Sequence, residues 1–183
     1  MALILASASP RRRELLGLLT HDFCARTVDV DESGFCESSP AALAGRLAAE
    51  KCRAAAALWP QDCVIGSDTV VEAGGEVLGK PRDAADARRM LTALSGRTHQ
   101  VHTGVCIARG DRVECFCDSC SVTFFEIDPE DMEAYIASAE PYDKAGAYAI
   151  QGHAAVWIDR LEGDYYTIMG FPVSRTARAL HSF

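Results

Sequence analysis

Ala2-Leu-Ile-Leu-Ala6 is an apolar run of buried-strand length, and Ser9-Pro10 supplies a helix N-cap with proline at the first helical position almost at once. A chain that opens strand, short turn, capped helix is set up to pack helix against sheet. The first helix is expected from Pro10 to about Leu19. The same run is far too short for a membrane span or a signal-peptide core, and no basic region precedes it, so a cytoplasmic protein without a membrane partner is expected.

At 183 residues, with 49% hydrophobic and 24% charged, the chain is the size of one globular domain and lies outside the disordered and collagen-like classes. No linker or internal repeat divides it, so residues 1–183 read as a single α/β unit. A second helix is expected from Ser39-Pro40, with Leu43, Leu47, Ala54 and Leu58 on one stripe, ending at Trp59-Pro60. Cys63-Val-Ile-Gly66 reads as a strand, and Gly74-Gly75 as a hairpin turn between Val70-Val71 and Val77-Leu78. A third helix is expected from Asp83 to about Leu94. Long strands near His99–Ala108 and Val113–Glu126 flank a hairpin at 109–112, and Asp128-Pro129 opens a helix reaching about Ala139. Strands near Ala154–Leu161 and Tyr165–Met169 then precede a last helix after Pro172. The sheet is expected to be mixed.

Net charge is −8, from 18 Lys and Arg against 26 Asp and Glu. That balance argues against nucleic acid as a partner, and any anionic ligand needs a local group of cations. Ser7-Ala-Ser9-Pro10-Arg11-Arg12-Arg13 offers one. Three cations in the first turn of a helix repel its positive end, whereas free N–H groups, hydroxyls and guanidinium forks together suit phosphate. A solvated basic turn is the competing reading. Lys51 lies near the edge of the second helix's apolar stripe, pointing into a cleft or snorkelling. Asp68 follows the strand 63–66, where ligands gather in open α/β sheets. Asp29, Asp31 and Glu32 add hard oxygen donors for Mg²⁺ or Mn²⁺, or form an acidic loop.

Gly74-Gly-Glu-Val-Leu-Gly79-Lys80 has P-loop spacing, but Pro81 replaces the magnesium-binding hydroxyl, so the segment reads as a hairpin delivering Lys80. His99 and His102, three apart on a strand, face opposite ways and cannot share a ligand. Eight cysteines, with one CxxC at Cys117–Cys120, are expected as thiols and core fillers rather than as a metal or redox site.

LILASASPRRRELL, VDVDES, LAAEKCRAA, VIGSDTVV, the stretch from GEVLGKPRD to HQVHTGV, EPYDKAGAYAIQG and LEGDYYTIMGFPV occur in this order along nearly the whole chain. Together they resemble the Maf family of nucleoside triphosphate pyrophosphatases. The resemblance implies an elongated mixed sheet flanked by helices, with a central nucleotide cleft. It also implies hydrolysis between the α and β phosphates with a divalent cation, Mg²⁺, Mn²⁺ or Co²⁺. Ser7, Arg11, Arg12, Lys51 and Lys80 would hold the triphosphate. Asp68 would act as base or metal ligand, and Glu32 would assist with the metal. Arg11, Thr69 and Gln151 stand where the family divides by substrate, and they resemble the dTTP/UTP branch rather than the 7-methyl-GTP branch. A Gln amide offers a pyrimidine edge both donor and acceptor. A nucleotide-binding regulator that needs no turnover is the alternative from another class, and family members often form homodimers. Ala8 departs from the family's frequent glycine.

Overall fold

A computed structural model describes residues 2–32, 34–35 and 37–183. β1 (Leu3–Ala6) leads into α1 (Pro10–Gly17), where Ser9 accepts a hydrogen bond from the Arg12 N–H as N-cap. β2 (Cys24–Arg26), too short to carry a sequence signal, precedes α2 (Pro40–Leu58), capped by Ser39. β3 (Cys63–Ala73) turns at Gly74-Gly75, with φ of 59° and 87°, into β4 (Glu76–Leu78), so the P-loop-like spacing is indeed a hairpin. α3 (Ala84–Leu94), capped by Asp83, precedes the long hairpin of β5 (Thr98–Arg109) and β6 (Arg112–Phe124). α4 (Pro129–Ile136), β7 (Ile158–Glu162), α5 (Tyr165–Met169) and α6 (Val173–Leu180) complete the chain.

The sheet is mixed, as expected. Its order is β2-β1-β3-β5-β6-β7 with β4 paired to β3; β1 runs parallel to β2 and β3, and the remaining pairs are antiparallel. β1 stops at Ala6, opposite Gly66, while β3 continues for seven more residues. Asp68 therefore lies inside a strand, not after one. The ligand-bearing edge arises because its neighbour ends there.

On one face α2 packs directly on the sheet. A Cβ on Gly66 would lie 2.3 Å from the Ala48 carbonyl oxygen, and one on Gly104 2.3 Å from that of Ala44. The two glycines bring helix backbone onto strand backbone, which only small residues permit. The buried stripe is accordingly Ala44, Leu47, Ala48, Cys52 and Ala55; of the expected stripe only Leu47 belongs to it, and Leu58 is exposed. The other face carries two apolar clusters. One joins Leu5, Ile65 and Val105 to Leu15, Leu16 and Phe171; the other joins Val71 and Val101 to α3, α4 and Trp157.

Three further expectations are corrected. Tyr165–Met169 is a helix, because Asp164 caps it by accepting from the Thr167 N–H and hydroxyl. The expected strand 154–161 begins only at Ile158 and runs to Glu162, since His153–Trp157 is a 3₁₀ turn. Cys106 and Cys115, directly opposite on β5 and β6, are bonded rather than free thiols. Among the described residues no helix is long and apolar enough to cross a membrane.

Candidate active site

A cleft of about 910 Å³ opens where β1 ends, and every site residue singled out from the sequence except Asp31 lines it. Ser7, Arg11 and Arg12 come from the β1–α1 turn, Glu32 from the segment after β2, and Lys51 from α2. Asp68 and Thr69 come from β3, Lys80 from just beyond β4, and Gln151 from the segment before β7.

Alternation along β3 divides the site. Asp68 shares the face of Gly66 and points toward α2, where the Lys51 ammonium donates to Asp68 Oδ1 at 2.5 Å and to Glu32 Oε1 at 2.8 Å. Gly104 is the cross-strand partner of Asp68, so both glycines that seat α2 flank the contact. Lys51 thus points into the cleft. Asp29 lines it too, whereas Asp31 borders a neighbouring hollow.

Thr69 faces the other way, against Arg12 and the α5 turn. Arg12 donates from Nε to the Gly170 carbonyl and from Nη2 to Thr69 Oγ1, both at 2.9 Å, and from Nη1 to Ser7 Oγ at 3.5 Å. All three partners are neutral, so this bracing leaves the positive charge available to an anion. Burial pulls the guanidinium below its usual pKa, while Asp68 pushes the other way. Thr103 donates its hydroxyl proton to the Thr167 carbonyl at 2.7 Å and lies 3.0 Å from Thr69 Oγ1. A hydroxyl has one proton, so Thr69 must donate to Thr103. With that proton committed and one lone pair taken by Arg12, Thr69 can only accept from a ligand.

Arg11 and Lys80 complete the cationic wall. Among the described residues neither is in a salt bridge; burial pushes the nearby Asp143 carboxyl up, but Lys144 and, more weakly, Arg11 bring it below its usual pKa. Ala8 is not in the left-handed region, which explains why alanine serves where glycine is frequent. The sequence reading missed Asp143, Lys144 and Tyr148, which also line the cleft. EPYDKAGAYAIQG was legible only as a motif, because what orients it lies elsewhere: Gly146 N–H donates to the Gly79 carbonyl at 3.1 Å, and the Tyr148 hydroxyl lies 2.7 Å from His99 Nε2.

His99 and His102 do face opposite ways, the first beside Tyr148 and the second 2.7 Å from Ser119 Oγ. Among the described residues no group of three or more His, Cys, Asp or Glu side chains is arranged to hold a metal alone. Glu32 and Asp68 nevertheless suit a hard cation. Both accept from one ammonium and so face the same point in the cleft, and Mg²⁺ typically takes one or two carboxylates together with substrate phosphates.

The model for the family described as Maf-like protein matches residues 2–183. The dTTP/UTP pyrophosphatase of Symbiobacterium thermophilum is 47% identical over 181 residues, covering 99% of this chain and 93% of that protein. That of Bacillus cytotoxicus is 43% identical over 180 residues, covering 98% and 94%. A solved HAM1 protein from Coxiella burnetii is 19% identical with a TM-score of 0.47, over 67% of this chain and 72% of that one. With a family model matched almost end to end and relatives this similar over practically their full length, the chain belongs to the Maf-like protein family.

Proposed function

We propose that the protein is a nucleoside triphosphate pyrophosphatase that converts dTTP and UTP to the monophosphate and pyrophosphate. The observation that carries this reading is the convergence of Arg11, Arg12, Lys51 and Lys80 on one cleft whose floor holds the Asp68–Lys51 contact. Phosphoanhydride hydrolysis needs charge neutralisation and positioning more than a covalent nucleophile. Ser7 and the four cations hold the phosphate chain. Asp68, fixed by Lys51, takes the proton of the water that attacks the α phosphorus, and pyrophosphate leaves toward Lys80 and Arg11. A divalent metal (Mg²⁺, Mn²⁺ or Co²⁺), held by Glu32 and Asp68, supplies further neutralisation of phosphate charge when bound.

Base selection falls to Thr69 and Gln151, while Arg11, the third position at which the family divides by substrate, lies on the phosphates. An acceptor-only Thr69 suits the N3–H of thymine or uracil, which cytosine lacks, and the Gln151 amide pairs with the remaining edge. This nucleotide chemistry fits a cytoplasmic enzyme, and a homodimer is compatible with it.

A panel of nucleoside triphosphates with each of the three metals, followed by separation of products, tests the reading. dTMP or UMP with pyrophosphate is expected, with Asp68→Asn inactive. Orthophosphate without monophosphate would refute cleavage at the α phosphate.

A further inference from the structure

We infer that Glu140 is the positioning residue that sets Gln151 and hence the base preference of the cleft, an inference that rests on Gln151 contacting the base. Glu140 does not line the cleft, yet its carboxylate closes the loop that carries Gln151. Oε1 accepts the His153 N–H at 3.1 Å, Oε2 lies 2.8 Å from His153 Nδ1, and the Tyr135 hydroxyl donates to Oε1 at 3.4 Å. The Glu140 side chain is only 19% exposed, so the carboxylate is tucked under the loop, with the His153 ring on its solvent side.

Gly152 is the second mark of the same design. A Cβ there would lie 1.8 Å from Glu140 Oε1, although the backbone, at φ −157°, suits any residue. A side chain there would have to displace the carboxylate, which occupies the volume. The residues immediately after Gln151 are thus gripped by one group. At the other end of the loop the Lys144 ammonium donates to the Glu140 carbonyl at 2.5 Å, and Gly146 ties the middle to Gly79, beside Lys80. Glu140 therefore joins both ends of the loop to each other, and Gln151 inherits its place from that closure.

The test compares kcat/KM for dTTP and dCTP in the wild type, Gln151→Ala, Glu140→Ala, Glu140→Gln and Gly152→Ala, with the same metal throughout. A ratio measured on one preparation is independent of its active fraction, so partial unfolding cannot imitate the effect. Glu140→Ala should lower the dTTP:dCTP ratio about tenfold, mainly through KM for dTTP, because a displaced polar contact loses its discrimination. Gly152→Ala should do the same by expelling the carboxylate. Glu140→Gln, whose amide oxygen still accepts the His153 N–H, should stay near the wild-type ratio. If Gln151→Ala collapses the ratio while Glu140→Ala and Gly152→Ala preserve it, the inference is overturned and the base reading stands. If Gln151→Ala itself preserves the ratio, the base reading fails and the inference falls with it.

Discussion

Asp68 and Thr69 are adjacent in sequence yet work on opposite faces of β3, one against Lys51 and the other against Arg12. Sequence could identify both, because their motif is compact, but not their division of labour, which follows from alternation along a strand that runs past Gly66 to Ala73. The polarity of the Thr69 hydroxyl was beyond sequence altogether, since it follows from a proton count through Thr103 and the Thr167 carbonyl. Thr103→Val removes that constraint at nearly constant volume. Thr69 is then free to donate as well as accept, and the variant should gain dCTP hydrolysis relative to dTTP by roughly tenfold, a change on the scale of one hydrogen bond. Competition of the two nucleotides in one assay measures it; an unchanged ratio would remove Thr69 from base selection. His99 offers a different test. Burial lowers its pKa to about 4 from 6.5. Between those values the unfolded chain binds a proton that the folded chain refuses, so stability is full above about pH 6.5 and falls as pH drops toward 4, by at most about 1.4 kcal/mol per unit. Urea titrations across this window should show a shallower pH slope for His99→Gln than for the wild type.

At the scale of elements, strands and caps were the legible part. Ser9, Ser39, Asp83 and Asp128 each cap the helix expected after them, and the two hairpins form where glycine punctuates the chain. The failures have two causes, one local and one tertiary. Tyr165–Met169 carries β-forming side chains, but Asp164 and the left-handed Gly170 close it as a helical turn. In α2 the leucines suggested one stripe, while Gly66 and Gly104, far apart in sequence but on the neighbouring strands β3 and β5, select a stripe of mostly small residues. That seating brings Lys51 to Asp68, so structure and activity are coupled here. Gly66→Ala puts a methyl 2.3 Å from a helix carbonyl and should cost about 1–3 kcal/mol while also lowering kcat. Gly45→Ala, in the same helix with no atom within 4 Å of its added Cβ, should instead stabilise by roughly 0.5–1 kcal/mol and leave kcat unchanged. Thermal unfolding and kcat of the two variants give opposite signs if α2 is seated as described.

For the whole molecule, the net charge of −8 argued against a broad basic surface, and the cleft explains how an acidic protein can still take a triphosphate. Its cations come from the β1–α1 turn, α2 and the end of β4, which belong to separate stretches of chain and different apolar clusters. A bound triphosphate would bridge them, and a ligand that binds only the folded state stabilises it by mass action. At a hundred times its Kd this amounts to about 2.7 kcal/mol, and for a chain of this size each kcal/mol moves Tm by about 2–4 °C. Asp68→Asn permits the measurement without turnover. With dTTP and the metal at saturation its Tm should rise by about 5–11 °C. dTMP retains the base and sugar but lacks the phosphates that reach Lys80 and Arg11, so at the same concentration it should give a much smaller rise. Equal rises with the two nucleotides would mean that the separated cations do not meet on the phosphate chain, and the assignment of the cationic wall would fail with the base site left intact.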